Sequence, residues 1–488
     1  MHPYGNTISS LAILELGDEF YDPVVAAEFP RLRTRFLNKS EALGLNLHPH
    51  LHFDLNSEAD WQKYFARFEP LPHNLPTPLA LRYHGHQFRH YNPELGDGRG
   101  FLFAQFQRQE PDGSLKLLDL GTKGSGQTPW SRGGDGRLTL KGAVREALAT
   151  EMLEALGVNT SKTLCFFETG ESLQRSDEPS PTRAAVLTRL SHGHIRFGTF
   201  QRLAYLGQTE NIKHLMHYCL KYFYPLAEGA GYQSNDLSAE HLLTQVCIRS
   251  ARLAAEWMIA GFVHGVLNTD NMNISGESFD YGPYRFLPSY DPTFTAAYFD
   301  QQGLYCFGRQ PNAVFWNVQQ LAVSLLKAYP NLNTANSFTA FEDTFSKSVE
   351  SLFLKRLNLR YREPLAEDRS SLGENLLTCF YQSLEQSQIP LEQAFFDFWG
   401  GQELHRWSKS NLQHRYSQPE FQNFLQALGD FEIADRSKIQ APYWQRERPC
   451  TLLIDEIESI WSSIDLRDDW SLFESKIAEI RSMRGLHM

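Results

Sequence analysis

Two polar side chains near the middle of the chain could hold a metal ion together. Asn271 closes the run that starts at His264, and Asp280 opens the triplet Asp280-Tyr281-Gly282 soon afterwards. Carboxylate and amide oxygens are ligands that Mg²⁺ takes when phosphates and waters complete its coordination. The two residues therefore predict a magnesium site that acts on a phosphate group.

The same stretch departs from a known pattern at one position. Protein kinases bind Mg²⁺ with the Asn of H-R-D-x-x-x-x-N and the Asp of D-F-G, and the Asp of the first motif accepts the substrate proton. The corresponding position here is Val266, which cannot take a proton. Asp270 is the nearest carboxylate, so we expect it to be the proton acceptor. An isolated Asp-Asn pair is more often a turn, but the order of these motifs favours a site.

Two patterns upstream could bind phosphates. Alternating glycines in Gly96-Asp97-Gly98-Arg99-Gly100 would let backbone N–H groups approach phosphate oxygens, although plain turn chemistry explains such a run equally well. Lys123 ends a strand-like segment, and Glu146 lies on a helix-like one. A kinase needs such a lysine and carboxylate as a pair; the alternative is two unrelated surface charges.

Further candidates lie between and after these motifs. Asp135 and Gly136 belong to a glycine-rich charged loop that could lie against a nucleotide or be a simple connection. Arg189 and Arg196 follow a strand-like segment, and guanidinium groups suit phosphate oxygens. A solvated arginine is the default, but two arginines are unusual where a kinase hinge would be apolar. They are consistent with phosphates at that end of a cleft.

The surrounding sequence predicts the elements that must position these residues. Strand-like segments with a hairpin turn at Asp112-Gly113, and a helical repeat that Gly157 ends, occupy the region from about 79 to 205. Helices dominate after about 210, and the one over 241–260 ends at Gly261 directly before the metal-ligand run. The expected strands are Phe101–Phe106, Leu115–Leu120 and Ala184–Thr188. The expected helices are Leu140–Leu156, 241–260, Phe315–Tyr329, Phe338–Leu357 and several after about 365, with breaks near Pro390 and Pro442.

Composition restricts the function classes. The chain has 488 residues, 42% of them hydrophobic, which is enough for a large folded core. A formal net charge of -11 disfavours binding to nucleic acids or anionic membranes, which needs a basic surface. The six cysteines form no C-x-x-C motif. We find no secretory or membrane-spanning pattern and expect a cytoplasmic bacterial protein.

The motifs together resemble those of the SelO (selenoprotein O, also YdiU) family of kinase-fold protein AMPylases. The resemblance runs from Leu16 to about Gly308. Its most specific parts are Gly85-His86-Gln87-Phe88, Leu95-Gly96-Asp97-Gly98-Arg99, Lys123-Gly124-Ser125-Gly126-Gln127-Thr128-Pro129, the run from His264 to Met272, and Asp280-Tyr281-Gly282-Pro283. The C-terminus departs from the family, because this chain lacks the Asn-Pro-rich segment and a cysteine near its last residues.

The resemblance implies an α+β, two-lobed, protein-kinase-like fold. The N-lobe would be an antiparallel sheet with one main helix, and the C-lobe would be helical. The implied domains are an N-terminal extension over 1–78, the N-lobe over 79–208, the C-lobe with the catalytic and metal loops over 209–365, and a divergent helical region over 366–488.

The resemblance also implies the reaction and the roles of the residues. ATP would bind flipped, so that AMP passes from ATP to Ser, Thr or Tyr hydroxyls of proteins and pyrophosphate leaves. Asp270 would accept the proton, Asn271 and Asp280 would hold Mg²⁺ or Mn²⁺, and Glu146 would hold Lys123. The implied ATP-binding residues are Gly96, Gly98, Arg99, Lys123, Asp135, Gly136, Arg189, Arg196 and Asp280.

Two alternatives remain open at this stage. A γ-phosphoryl kinase could use Asp270 as its base, but Val266 and the two arginines count against it. A pseudokinase scaffold would bind ATP without chemistry, but it would not need a complete metal site. The partners we expect are ATP and protein substrates, with redox-related proteins suggested by the family, and we expect a monomer that binds neither nucleic acid nor membrane.

Overall fold

The computed structural model describes residues 7–45, 53–110, 113–176, 178–225, 235–362 and 369–487. The strands, in chain order, are β1 Thr7–Ser10, β2 Tyr21–Pro23, β3 Arg33–Leu37, β4 Leu79–Leu81, β5 Gly85–Gln87, β6 His90–Asn92, β7 Leu102–Gln109, β8 Leu115–Lys123, β9 Leu138–Thr139, β10 Lys162–Leu173, β11 Thr182–Ser191, β12 Phe262–Val263, β13 Arg285–Phe286, β14 Leu359–Tyr361 and β15 Phe431–Ile433.

The α-helices are α1 Lys39–Gly44, α2 Glu58–Phe65, α3 Leu140–Ala155, α4 Phe197–Tyr205, α5 Thr209–Tyr222, α6 Asn235–Ile259, α7 Gln310–Leu326, α8 Ala335–Arg356, α9 Arg369–Ser387, α10 Leu391–Phe398, α11 Gly401–Leu404, α12 Gln413–Tyr416, α13 Gln422–Ala427, α14 Ile454–Arg467 and α15 Ser471–Arg481. Short 3-10 helices are Ala12–Leu16, Thr269–Asn271, Phe307–Arg309, Arg406–Lys409, Pro419–Phe421, Leu428–Asp430, Arg436–Gln440 and Pro442–Gln445. The fold is therefore mixed, with strands concentrated in the first half and helices in the second.

An antiparallel sheet organises the first half. Among the described residues it has nine strands in the order β2-β4-β7-β8-β11-β10-β3, with β1 paired to β7 and β9 paired to β11. The three expected strands are confirmed as parts of β7, β8 and β11. β7 and β8 form the expected antiparallel hairpin, with Phe106 opposite Leu118. Asp112 of its expected turn lies outside the described residues.

Several strands of this sheet were not anticipated. β10 is the longest, and bulges between Thr163 and Cys165 and again after Glu168 interrupt its alternation. A bulge shifts the side-chain period, so the local pattern no longer indicates a strand clearly. β1, β2 and β3 come from the segment expected to be an N-terminal extension, and all three pair within the sheet. That segment therefore contributes strands to the main body; the domain boundaries stay a prediction.

Helix α3 packs on β10 and β11, and its ends follow from the sequence. The hydroxyl of Thr139 accepts a hydrogen bond from the Gly142 N–H at 3.1 Å, which caps the first turn. Gly157 has φ +82°, the left-handed conformation that glycine adopts at helix ends. The expected helix over Leu140–Leu156 is confirmed.

The helical half carries the loop over residues 264–284, which contains Asp270 and Asp280 and is called the acidic loop. α7 and α8 pack against α6, and they confirm the helices expected over Phe315–Tyr329 and Phe338–Leu357. α6 confirms the helix expected over 241–260, and Gly261 follows it with φ +62°. The short ribbon of β12 and β13 comes next, and the loop between its two strands contains the metal-ligand run. No described helix has the length and apolar character to cross a membrane.

Candidate active site

A cleft of about 710 Å³ lies between the glycine-rich loop before β7 and the loop between β12 and β13. Apart from Glu146, every residue expected in the site from the sequence lines it. These are Gly96, Gly98, Arg99, Lys123, Asp135, Gly136, Arg189, Arg196, Asp270, Asn271 and Asp280. Glu146 lies behind the cleft wall, where it contacts Lys123. The fold thus gathers side chains from distant parts of the sequence into one place.

Lys123 joins the sheet, the main helix and the acidic loop. It is the last residue of β8, and its Nζ lies 2.5 Å from Oε2 of Glu146 on α3 and 2.6 Å from Oδ1 of Asp280. The Glu146 side chain is only 1% exposed, so the lysine neutralises a carboxylate that would be costly to bury alone. The pairing expected from the sequence is present in the geometry.

Asp280 is held ionised by its surroundings. Burial alone would raise its pKa, but Lys123, Arg99, Arg189 and Arg196 together hold the pKa of this carboxyl well below its usual value. The residue also adopts φ +64°, an uncommon conformation for a residue with a side chain, which is often found at functional sites. A permanently charged carboxylate facing the cleft is suited to a cation.

Arg189 carries buried polar groups that need a partner. Its Nη1 lies 3.7 Å from Oε1 of Glu146, and its guanidinium lies over the Phe279 ring at 5.3 Å. Within the described part of the chain, Nε and Nη1 of Arg189 have no hydrogen-bond partner. An unpaired buried donor costs about 1–3 kcal/mol, so these atoms indicate an anionic ligand or ordered water.

Arg196 is fixed more completely than Arg189. Its Nη2 donates to Oδ1 of Asp97 at 3.1 Å, and its Nη1 donates to the main-chain oxygen of Asp270 at 2.8 Å. The guanidinium lies between the rings of Tyr83 and Phe279, at 4.4 Å and 4.9 Å from their centroids. Arg196 therefore links the glycine-rich loop to the acidic loop. Asp97 was not expected as its partner from the sequence, although it lies inside the glycine-rich motif over residues 96–100.

Asn271 and Asp280 supply the donor set that was expected for a metal. The amide nitrogen of Asn271 donates to the main-chain oxygen of Val266 at 3.1 Å, which leaves the amide oxygen as the atom for a cation. The described residues contain no cluster of three or more His, Cys, Asp or Glu side chains that could hold a metal alone. The two ligands fit Mg²⁺ whose remaining coordination comes from phosphates and waters.

Asp270 has a buried carboxyl group in the acidic loop, directly before the expected metal ligand Asn271. Burial raises its pKa to about 6, against the opposing charge of Arg196. Within the described residues its Oδ1 has no hydrogen-bond partner. Gly85 packs so closely that a Cβ there would lie 3.0 Å from Oδ1 of Asp270. Oδ1 of Asp270 is therefore held in place by packing and is available to accept a proton, as a general base requires.

The short hairpin of β5 and β6 braces this loop. The His86 N–H donates to Oγ1 of Thr269 at 2.7 Å, and the Phe88 N–H donates to Oδ1 of Asn268 at 3.0 Å. These bonds explain why the motif around Gly85 accompanies the Asp270 motif in one sequence. Because the contact uses backbone donors, no side-chain pattern in the hairpin could have predicted it.

The glycines have a packing reason that the sequence did not reveal. A Cβ on Gly96 would lie 2.4 Å from Cγ of Trp130, and a Cβ on Gly136 would lie 2.2 Å from the main-chain carbon of Gly126. Gly136 also has φ +67°. Space for Trp130 therefore requires glycine at 96 whether or not a phosphate is bound, and Trp130 is a cleft residue that sequence reasoning missed.

Asp135 reaches the cleft but already has a partner. Its two carboxylate oxygens accept from Nη1 and Nη2 of Arg175, at 2.7 Å and 3.0 Å. Despite partial burial, Arg175 lowers the pKa of Asp135. Arg175 also lines the cleft and was not anticipated, because it belongs to an irregular segment after β10.

Comparison with known proteins finds relatives over nearly the whole chain. The family model described as "Protein adenylyltransferase SelO" matches residues 6–481. The chain is 42% identical to "Protein nucleotidyltransferase YdiU" of Synechocystis sp. over 99% of both chains. It is 40% identical to the protein of the same name from Trichormus variabilis, over 96% of this chain and 95% of the relative. A Gloeobacter violaceus relative with that name is 39% identical, over 96% of this chain and 94% of its own.

Proposed function

Because the chain belongs to the SelO family of protein adenylyltransferases, which are nucleotidyltransferases, we propose that it transfers AMP from ATP to protein hydroxyls. The acceptors are Ser, Thr or Tyr side chains, and pyrophosphate is the leaving group. The observation that carries this proposal is the buried guanidinium of Arg189, whose unpaired N–H groups lie beside the Lys123 and Glu146 pair. In this proposal the β- and γ-phosphates bind at Arg189 and Lys123, which leaves the α-phosphate towards Asp270.

The proposal includes a two-lobed, kinase-like arrangement. An antiparallel sheet that carries a lysine on β8, opposite a carboxylate on α3, supports an N-lobe over 79–208. Helices α6, α7 and α8, with the acidic loop beside them, support a C-lobe over 209–365. The cleft between the glycine-rich loop and the acidic loop is where such a fold binds a nucleotide.

In this proposal ATP binds with its triphosphate reversed relative to ordinary kinases. Lys123, Arg189 and Arg196 hold the β- and γ-phosphates and stabilise the charge that develops on pyrophosphate. Asn271 and Asp280 would hold Mg²⁺, or Mn²⁺ in its place, which would neutralise phosphate charge and orient the triphosphate. Gly96, Gly98 and Arg99 cover the phosphates, and Asp135 and Gly136 contact the nucleotide.

The chemical step then uses Asp270. The acceptor hydroxyl oxygen forms a bond to the α-phosphorus while the bond from that phosphorus to the α,β-bridging oxygen breaks. The electron pair leaves with pyrophosphate, and the hydroxyl proton passes to the Asp270 carboxylate. A base with a pKa of about 6 is mostly ionised at neutral pH, as this role requires. Val266 is compatible with this scheme because the reacting phosphorus differs from that of a kinase.

Labelled ATP tests the proposal directly. The protein is incubated with Mg²⁺, an unfolded acceptor protein such as casein, and ATP labelled at either the α- or the γ-phosphate. We expect protein-bound label from α-labelled ATP only, and Asp280→Ala should reduce it to background. Label from γ-labelled ATP only would show a kinase, and no label from either would favour an ATP-binding scaffold.

The remaining parts of the proposal concern the acceptors, the oligomeric state and the compartment. We propose a monomeric enzyme in the bacterial cytoplasm that modifies redox-related proteins. Size-exclusion chromatography with light scattering tests the monomer. Mass spectrometry of proteins that carry AMP in cells with and without the active enzyme tests the acceptors.

A further inference from the structure

The C-terminal end of the described chain folds back onto the active-site helix. α14 and α15 form a helix hairpin that packs against α3, the helix that carries Glu146. Phe473 of α15 also packs edge-on against two stacked rings of the sheet, 5.9 Å from that of Phe36 and 6.1 Å from that of Phe166. The hairpin therefore contacts both the helix and the sheet.

On the helix side, the contact is centred on a buried carboxylate. The Glu151 side chain on α3 is 1% exposed. Arg481 donates to both of its oxygens, at 2.6 Å and 2.9 Å, and Arg484 donates to Oε2 at 2.7 Å. Arg484 also lies 2.5 Å from Glu154 on the same helix. Asn38 also donates to Oε1 of Glu151, at 3.3 Å. A buried charge needs such partners, so the docked C-terminal arginines favour this position of α3.

On the sheet side, the contact is centred on Asp468, which lies between the two helices of the hairpin. Its Oδ1 lies 2.9 Å from Nη2 of Arg35 on β3 and 2.7 Å from Nη2 of Arg183 on β11. Both arginines also pair with Glu168 on β10, at 2.5 Å and 2.8 Å. The hairpin is thus tied to three neighbouring strands of the sheet as well as to α3.

The contacts at Glu151 and Asp468 connect α3 to the sheet, and the distance between α3 and the sheet determines whether Glu146 reaches Lys123. Lys123 is on β8, which pairs directly with β11, and Glu146 is on α3 little more than one turn before Glu151. Any shift of α3 relative to the sheet would change the 2.5 Å distance between Lys123 and Glu146. In kinases, placement of the corresponding helix is what switches this pair on and off.

We propose that Arg481 and Arg484 are positioning residues, which hold α3 so that Glu146 reaches Lys123. The C-terminal hairpin is then a clamp that completes the nucleotide site from outside the cleft. The test of the clamp by kcat rests on the proposed function, because it measures AMP transfer. The position of α3 is a separate readout that does not depend on which phosphate is transferred.

The test is a double-mutant cycle in the full-length protein. Arg481→Ala/Arg484→Ala should lower kcat for AMP transfer from α-labelled ATP by about 10²-fold, the scale expected when a catalytic group is displaced by about 1 Å. The same pair of changes in a Glu146→Gln background should cost less than about two-fold, because residues that act through one another are not additive. Arg481→Lys/Arg484→Lys should recover part of the loss.

A matched control is Arg360→Ala. Arg360 forms an ion pair with Glu432 at 2.8 Å in the ribbon of β14 and β15, away from α3. We expect wild-type kcat from this variant. Equal losses in the wild-type and Glu146→Gln backgrounds, or a double variant that keeps wild-type kcat, would overturn the clamp.

A second measurement covers the case in which the double variant does not fold. Glu151→Gln keeps the side-chain shape and removes the charge, and hydrogen exchange reports on the α3 amides directly. We expect faster exchange in α3 with unchanged exchange in α7; unchanged α3 exchange would overturn the clamp. If the wild type transfers no AMP, the proposed function fails, while the exchange result still decides the role of the hairpin.

Discussion

Arginines at two places in this molecule differ in how far the protein itself satisfies their hydrogen-bond donors. Arg189, at the cleft, is nearly inaccessible, and its Nε and Nη1 have no hydrogen-bond partner in the described part of the chain, although Nη1 lies 3.7 Å from Oε1 of Glu146. Arg481 and Arg484, at the C-terminal hairpin, are more exposed, and each is paired with carboxylates of α3. Arg189 therefore keeps two donors for a ligand, whereas the C-terminal arginines use most of theirs within the protein, where Nε of Arg484 is the one nitrogen of the pair without a hydrogen-bond partner among the described residues.

The difference distinguishes residues that bind a ligand from residues that stabilise the fold. A paired guanidinium contributes to the stability of the fold, whereas an unpaired one costs stability that a ligand later recovers. The same contrast holds for carboxylates, since Asp270 has an oxygen without a partner among the described residues while Glu151 is fully engaged. Substitutions at Arg189 should therefore lower activity without lowering stability, whereas substitutions at the C-terminal arginines should lower both.

The largest effect is expected at Arg189. Arg189→Met should lower kcat/KM for AMP transfer by about 10³-fold, the scale of an arginine that stabilises phosphate charge in a transition state. The melting temperature should stay level or rise, because a poorly paired buried charge is replaced by an apolar chain. Steady-state kinetics and calorimetry check both halves. A marked loss of stability with little loss of rate would place Arg189 among the scaffolding arginines.

Asp270→Asn should come next. Loss of a general base lowers rates by about 10²-fold or more, while MgATP affinity should change only a few-fold because the main-chain oxygen still binds Arg196. Single-turnover transfer and equilibrium binding of a fluorescent ATP analogue measure the two quantities. Glu432→Gln is the control, because it makes the same carboxylate-to-amide change outside the cleft lining, at the residue that pairs with Arg360. Equal rate losses in both variants would remove the assignment of Asp270 as base.

A loss of stability is expected at the hairpin, in addition to the loss of kcat. Arg481→Ala should lower the free energy of unfolding by about 1–3 kcal/mol, because the buried Glu151 loses two of its donors. Urea denaturation monitored by circular dichroism gives the value. The Arg360→Ala control breaks an exposed pair and should cost less than about 1 kcal/mol. If the two variants are equally stable, the hairpin contact does not stabilise the fold.

The smallest effect concerns Asp468 and pH. Partial burial works against ionisation, but Arg183, Trp470 and Arg35 together hold the pKa of Asp468 below its usual range. Its contribution to stability is therefore present above the unfolded-state pKa of about 4 and is lost as pH falls further. Because the side chain is 43% exposed, we expect less than about 1 kcal/mol. The stability difference between the wild type and Asp468→Asn in urea titrations should begin to narrow as pH falls below about 4; a constant difference would contradict the pairing.

Much of the site could be predicted from the sequence because its chemistry is carried by unusual residues in short motifs. Lys123, Asp270 and Asp280 stand in local patterns, and the regular periodicity of β8 and α3 was sufficient to place Lys123 and Glu146 on the correct elements. Their roles remain predictions, but their convergence on one cleft is a property of the structure.

The parts that could not be predicted depend on long-range contacts. β10 escaped detection because bulges disrupt its alternation, and the strands before residue 78 are too short to show a period. Trp130 against Gly96, and Arg481 against Glu151, join residues that no local pattern connects. The clamp in particular was invisible, because a buried Glu and two late arginines look like ordinary surface charges in a sequence.

The orientation of bound ATP tests the central claim most directly. A crystal structure with Mg²⁺ and a non-hydrolysable ATP analogue would locate each phosphorus atom in the cleft. We predict the γ-phosphate at Arg189 and Lys123, and the α-phosphate nearest to the metal ligands and Asp270. A γ-phosphate beside Asp270, with the α-phosphate at the arginines, would contradict the account.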